Sequence, residues 1–334
     1  MTQSSRLPVR CGIVLAGGEG KRLWPFIQRL RGDALPKQYV NFIGTRSMLE
    51  HTFCRAEKII LPDRLFTVVS RDHLRHPEVR RQLSGRPRGS VVMQPENKET
   101  GPGILLPLMH LYRRYPESMV VVFPSDHFIV EEDLFMAHVA FAFLVVEQNP
   151  SLLVLLGIEP NEPEPEYGYI LPDGEKRILG SLGLPSVRLF AEKPEPRTVR
   201  ELVVRGGLWN TMVMIFRTKT LLDLVRREAP RLYGSFLRIL EAIGTRDEKH
   251  AVEKAYRHMK PTNFSKGLLE KLPLHHRSCL SVLPVSGVFW SDWGSEDRLV
   301  SDLKKTGYIE RLQGISENSR FKIFGIGGSA CKTG

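Results

Sequence analysis

Short apolar runs at residues 11–16, 65–69, 90–93, 119–123, 152–156, 188–190 and 213–216 punctuate the chain. Their length and near-continuous apolar character predict strands buried on both faces. Between several of them lie segments of helical period. Residues 47–60 carry apolar side chains at Met48, Leu49, Phe53 and Ala56, and residues 103–115 follow the same rule. Residues 221–240 and 250–259 also read as helices, with Pro230 punctuating the first. Strand and helix alternating through the first half predict an α/β fold with a doubly wound, mostly parallel sheet. No repeat of about 20–50 residues recurs, and no low-complexity tract interrupts the pattern. Residues 29–36, 159–166 and 325–334, rich in Gly, Pro or charge, read as loops.

Composition narrows the class. Of 334 residues, 42% are hydrophobic and 25% charged, which suits a packed globular protein and argues against whole-chain disorder. The longest apolar stretch, residues 134–146, is interrupted by His138 and falls short of the roughly 20 residues a bilayer span needs. A membrane-spanning reading is therefore excluded, and the polar residues 1–9 lack the pattern of an export signal, so a cytoplasmic address is expected. Cys11, Cys54, Cys279 and Cys331 form no CxxC pair, and thiols are expected there. Lysines and arginines number 48 against 37 acidic residues, a formal charge of +11. The basic cluster Arg71, Arg75, Arg80, Arg81, Arg86 and Arg88 is broken by Asp72 and Glu78 and has no interleaved aromatics. It reads as solvated surface, with no nucleic-acid partner. The same charge suits a small substrate bearing several phosphates.

The first run leads directly into Gly17-Gly-Glu-Gly-Lys-Arg-Leu-Trp-Pro25. Glycines after a first parallel strand let backbone N–H groups approach an anion, because no Cβ stands in the way. This is not a P-loop: Leu15 stands where its first glycine belongs, and Arg22 replaces the magnesium-binding Ser or Thr. The dinucleotide fingerprint also fails, for want of its third glycine. Arg22 and Lys37 supply cations near the cradle, which points to a polyphosphate.

Leu15-Ala-Gly-Gly-Glu-Gly-Lys-Arg-Leu-Trp-Pro, followed by Pro36-Lys-Gln, resembles the signature of sugar-1-phosphate nucleotidyltransferases. Within that family it is most similar to bacterial mannose-1-phosphate guanylyltransferases. The likeness continues through Gln94-Pro-Glu-Asn, Phe123-Pro-Ser-Asp-His, Tyr167-Gly-Tyr-Ile, Phe190-Ala-Glu-Lys-Pro, Leu208-Trp-Asn and Ser291-Asp-Trp-Gly, in order. The resemblance implies a Rossmann-like catalytic domain over residues 1–305 and a short C-terminal tail, 306–334, partly disordered. It also implies transfer of a nucleoside monophosphate from a triphosphate, GTP, to mannose 1-phosphate, with pyrophosphate leaving. Glucose 1-phosphate with UTP or dTTP, and a non-catalytic sugar-nucleotide sensor, remain open alternatives. A homodimer is a candidate assembly.

By the same resemblance, Gly17, Gly18 and Gly20 hold the triphosphate, with Lys21 adding a cation, while Arg22 and Lys37 counter charge on the leaving pyrophosphate. Lys193 binds the phosphate of the sugar phosphate. Leu15, Ala16, Gln94 and Asn97 read the base, and Tyr167, Gly168, Glu192 and Asn210 read the sugar. Asp126, just past the carboxyl end of a strand, and Asp292 hold Mg²⁺, which takes one or two carboxylates plus phosphate oxygens. His127 orients or packs beside Asp126. His275, His276 and Cys279 are too tightly spaced, without a fourth ligand, for a structural zinc site.

Four departures from the family pattern stand out. Lys21 replaces a threonine. Residues 29–34 lengthen the approach to Pro36, which predicts Lys37 on a longer, more mobile loop. Pro165-Glu166 replaces Thr-Gly, and Thr211-Met212 replaces Ser-Gly beside the expected sugar, putting epimer choice in doubt.

Overall fold

The computed structural model describes residues 8–174, 178–179, 182–276 and 279–312. Its strands are β1 (Arg10–Ala16), β2 (Leu65–Ser70), β3 (Val91–Gln94), β4 (Met119–Pro124), β5 (Phe128–Ile129), β6 (Leu153–Ile158), β7 (Gly168–Pro172), β8 (Ile178–Leu179), β9 (Leu184–Pro185), β10 (Val187–Glu192), β11 (Leu208–Arg217), β12 (Leu280–Val285) and β13 (Trp290–Ser291). Among the described residues, nine of these form one sheet. β3, β2, β1 and β4 run parallel in that order. Successive side chains in β4 enter opposite cores: Met119, Val121 and Phe123 on one face, Val120 and Val122 on the other. That alternation between two buried faces is why these runs read as continuously apolar. Helices Trp24–Arg31, Met48–Ala56 and Glu132–Gln148 cover the first face, and Thr100–Arg114, Thr218–Glu228, Pro230–Ala242 and Glu248–His258 the second.

The second half departs from simple winding. β11 is antiparallel to β4, β6 and β7, and β10 is antiparallel to β7. β11 pairs through Leu208 and Trp209 with β7, and from Met214 onward with β4. The switch falls at a register shift between Asn210 and Met214, where Met212 takes a φ of 56°. An irregularity of this kind redirects a strand and the side chains beside it.

Some elements differ from the sequence reading. Residues 29–31 are not loop but the last turn of helix Trp24–Arg31, which ends at the left-handed Gly32. The stretch 134–146 lies within a helix, and no helix of the described residues is long and apolar enough to cross a membrane. β12 went unread because Ser281 and Pro284 interrupt its apolar run; among the described residues it pairs only with β6 in the main sheet, so its proline is tolerated. Past residue 305, the chain stays on the domain as far as it is described. Tyr308 packs edge-on against Phe128, and Leu312, 2% exposed, bridges to Ile43. The rest of the expected tail, including Cys331, lies outside the described residues. Cys11, Cys54 and Cys279 are free thiols. In the basic cluster, Arg71, Arg75, Arg81 and Arg86 pair with Glu253, Asp72, Glu78 and Glu57.

Candidate active site

β1 and β4 are adjacent and parallel, so the glycine loop after Ala16 and the turn after Pro124 leave the sheet at the same edge. Ser125 ties the two together: its amide and its Oγ both donate to the Leu15 carbonyl, the latter at 2.6 Å. Asp126 follows, with a side chain 37% exposed. Two residues on, β5 pairs antiparallel with β13, setting Phe128 opposite Ser291. That short ribbon delivers Asp292 to Asp126 across about half of the sequence. Trp293, with a φ of 44°, turns the chain there while its ring is stacked on Phe128 at 4.4 Å. Lys193, Met212 and Trp293 are non-glycine residues held left-handed around the site, and such strain persists where surrounding packing over-determines it.

Lys37 binds the two acidic segments together. Its ammonium donates to Asp126 Oδ2 at 2.9 Å and to the Asp292 carbonyl. Burial pushes the Asp126 carboxyl up, but the charge and hydrogen bond of Lys37 outweigh it, holding the group below the usual range. The expectation of a mobile Lys37 is corrected: the residue is 4% exposed and opens the tight turn Lys37–Tyr39. Of the extra residues 29–34, the first three complete helix Trp24–Arg31, and the rest lead into the tight turn that begins at Lys37. Gly20, with a φ of 62°, allows this approach, since a Cβ there would lie 3.0 Å from the Lys37 Cβ. Gln38 donates to the carbonyls of Ala16 and Gly18, both at 2.8 Å, and Tyr39 to Ala16, fixing the loop from beneath.

Gly20, Lys21, Arg22, Lys37, Asp126 and Asp292 line one cavity of about 260 Å³ with Trp293 and Gly294. Arg22 Nη2 lies 3.8 Å from Asp292 Oδ2. Lys21 pairs with Glu19 and leans over Trp24. Asp292 Oδ1 accepts from the Tyr167 hydroxyl at 2.8 Å and from the Gly294 amide at 2.9 Å. Tyr167, read from sequence as a sugar contact, thus spends its hydroxyl on Asp292. Its ring packs against Trp209 and beneath the Arg298 guanidinium, 4.6 Å away.

A second group gathers where the start of β7 meets the end of β10. Gly168 pairs with Glu192, and a Cβ on Gly168 would lie 2.7 Å from Glu192 Oε2 and 3.4 Å from the Asn210 Cβ. Glycine is therefore required for the carboxylate to sit there. Burial pushes the Glu192 carboxyl up, only partly offset by a Ser265 hydrogen bond. Asn210 Oδ1 accepts from the Met212 amide at 3.1 Å, and Ser265 Oγ donates to the Met212 sulfur. Lys193 follows Glu192, its Nζ 3.0 Å from Glu166.

The residues expected at the base are partly committed elsewhere. The Leu15 and Ala16 carbonyls accept from Ser125, Gln38 and Tyr39, and Asn97 Oδ1 accepts from the Glu99 amide at 2.9 Å. Gln94 is different: it is 2% exposed, packs against Gly17, and its Oε1 is buried without a partner. His127 is neutral at ordinary pH, since burial lowers it to about 4, and its Nδ1 accepts from Trp290. His275 and His276 face Glu228, and no group of three or more metal-ligating side chains occurs among the described residues. A larger cavity of about 630 Å³ lies beyond Trp293 and His127, but its Arg55 and Lys58 are held by Glu132 and Asp133. Sequence reading missed Glu164 and Arg298, and marked Glu166 only as a departure from the family pattern. Arg298 lies in no motif, and Glu164 reads only as loop charge.

A glycine loop, flanking cations and two aspartates thus meet beside the carboxyl ends of the parallel strands β1 and β4, where α/β sheets place their ligands. The chain belongs to the nucleotidyl transferase family, whose model matches residues 11–306. It is 30% identical over 250 residues to mannose-1-phosphate guanylyltransferase of Escherichia coli K12, covering 73% of this chain and 49% of that one. It is 31% identical over 236 residues to the xanthan biosynthesis protein XanB of Xanthomonas campestris, covering 70% of this chain and 48% of that one. The chain thus spans about half the length of these relatives. A solved structure titled mannose-1-phosphate geranyltransferase, from Thermus thermophilus, superposes with a TM-score of 0.73 at 25% identity, covering 88% of this chain and 79% of that one.

Proposed function

We propose that the protein transfers GMP from GTP to mannose 1-phosphate, giving GDP-mannose and pyrophosphate, in the cytoplasm where nucleoside triphosphates are kept. The observation that carries this reading is the meeting of Lys37, Asp126 and Asp292 in one cavity beside the glycine loop. A phosphate oxygen of the sugar phosphate attacks the α-phosphorus, the bond to the β-phosphate breaks, and its electrons leave with pyrophosphate. The protein's part is positioning and charge. Gly17 to Gly20 hold the triphosphate, Arg22 and Lys37 counter charge on the leaving pyrophosphate, and Lys193 holds the sugar phosphate. Gly168, Glu192 and Asn210 face the sugar, while Tyr167 acts through Asp292 as a positioning residue. Gln94, with its unpartnered Oε1, is the strongest candidate for the base. Asp126 and Asp292 offer hard oxygen donors on one cavity, which fits Mg²⁺ completed by substrate phosphates. Bound there, the ion supplies neutralisation of phosphate charge.

Gly168→Ala is expected to raise the KM for sugar phosphate by about tenfold or more, because the Glu192 carboxylate has to move. Met212→Gly relieves a left-handed backbone but loses side-chain packing and frees the unfolded chain. The relief, about 1–2 kcal/mol, and the two losses taken together are of similar size and opposite sign, so stability should move little in a thermal melt. Selection among sugar 1-phosphates should loosen, read as the ratio of kcat/KM values. The experiment for the function is a screen of four nucleoside triphosphates against several sugar 1-phosphates, following pyrophosphate release. Preference for UTP or dTTP would replace the substrate assignment; tight GDP-mannose binding without turnover in Mg²⁺ would replace catalysis with sensing.

A further inference from the structure

Glu166 stands where the related motif carries glycine, and its side chain reaches into the cationic part of the site. Oε2 lies 3.2 Å from Arg22 Nη1 and 3.0 Å from Lys193 Nζ. These are the two cations assigned above to the pyrophosphate and to the sugar phosphate. A carboxylate oxygen shared by two cations presents the charge and acceptor geometry that a phosphate oxygen would present to them. The loop carrying Glu166 is pinned on its amino side. Glu164 exchanges hydrogen bonds with the Tyr169 hydroxyl through its amide and carbonyl, and its carboxylate is held by Arg298. The Glu166 amide itself donates to Glu164 Oε1 at 2.8 Å. The hydrogen bond and charge of Lys193, helped by Arg22, hold the Glu166 carboxyl below the usual range, so it is ionised at neutral pH.

We propose that Glu166 is a built-in competitor for substrate phosphate, occupying the anion position between Arg22 and Lys193 and swinging out when phosphates arrive. The inference rests on the roles given to those two cations under the proposed function. Both partners are about half exposed, and exposed ion pairs are weak, so displacement costs little and the carboxylate tunes affinity without blocking the site. A glycine at this position could not do so.

Glu166→Gln keeps the side-chain shape and removes its charge. Calorimetric titration with inorganic pyrophosphate, which needs no turnover, is expected to show binding tighter by about 3- to 10-fold, the scale that loss of two exposed ion pairs allows. The KM for sugar phosphate is expected to fall by a similar factor, and this gain should vanish in a Lys193→Ala background. Unaltered pyrophosphate binding would overturn the proposal. So would a rise in the sugar-phosphate KM, which would make the carboxylate a substrate contact instead. Should the wild-type protein turn over no sugar 1-phosphate, the functional reading fails, while the pyrophosphate titration still decides the role of Glu166.

Discussion

Asp126→Asn is expected to lower kcat for nucleotidyl transfer by about 10²- to 10³-fold, the loss typical of removing one preorganised electrostatic group. Asparagine keeps the size of the side chain and still accepts a hydrogen bond from Lys37, so the turn after β4 should hold. What disappears is a negative charge at the cavity shared with Asp292 and the glycine loop. A divalent ion held by that carboxylate would neutralise charge most while it moves onto pyrophosphate, so the effect should fall on kcat. The KM for sugar phosphate should change much less, because Lys193, the group proposed to hold that phosphate, pairs with Glu166 rather than with Asp126. Steady-state pyrophosphate release checks this, with a thermal melt to confirm folding. A kcat within tenfold of wild type would remove Asp126 from the reacting phosphate.

Lys37→Met should bring a loss of similar size together with a fall in stability. The lysine is 4% exposed and, among the described residues, is the one whose side chain bonds both the Asp126 carboxylate and the Asp292 carbonyl. Methionine fills much of the space but leaves two aspartates facing one cavity without the cation between them. Breaking a buried pair costs about 3–5 kcal/mol, and the exposure of Asp126 reduces that here to about 1–2 kcal/mol. Turnover should fall by about 10²-fold or more, since a preorganised positive charge is lost beside the leaving group. Pyrophosphate release and denaturant unfolding measure the two consequences separately. Normal turnover in a destabilised variant would make Lys37 structural alone.

Much of this arrangement is legible in the sequence. β1 and β4 are buried on both faces, and such strands announce themselves as apolar runs bounded by glycine or by Pro124-Ser125. The ordered motifs placed Asp126, Asp292, Arg22, Lys37 and Lys193 in one family, and the fold gathers them at one edge. Other features are not legible, each for a tertiary reason. The bulge at Met212, which moves β11 from one neighbour to another, depends on pairing rather than on local propensity. The burial of Lys37 goes with neighbours that are distant in sequence, Asp126 and Asp292, and with the left-handed Gly20 beside it. Tyr167 looked like a sugar contact because its motif does, but its hydroxyl partner is set by the β5–β13 ribbon. Arg298 had no motif at all; only its place in helix Glu296–Lys305 brings it to Tyr167.

The proposed transfer depends on Asp126 and Asp292 holding one divalent ion where the triphosphate lies. Titration of Mn²⁺ into the protein with saturating GTP, read by electron paramagnetic resonance, addresses this without turnover. The expected result is a nucleotide-dependent bound ion whose affinity falls by about tenfold or more in Asp126→Asn and likewise in Asp292→Asn. Both variants holding Mn²⁺ as tightly as the wild-type protein would contradict it.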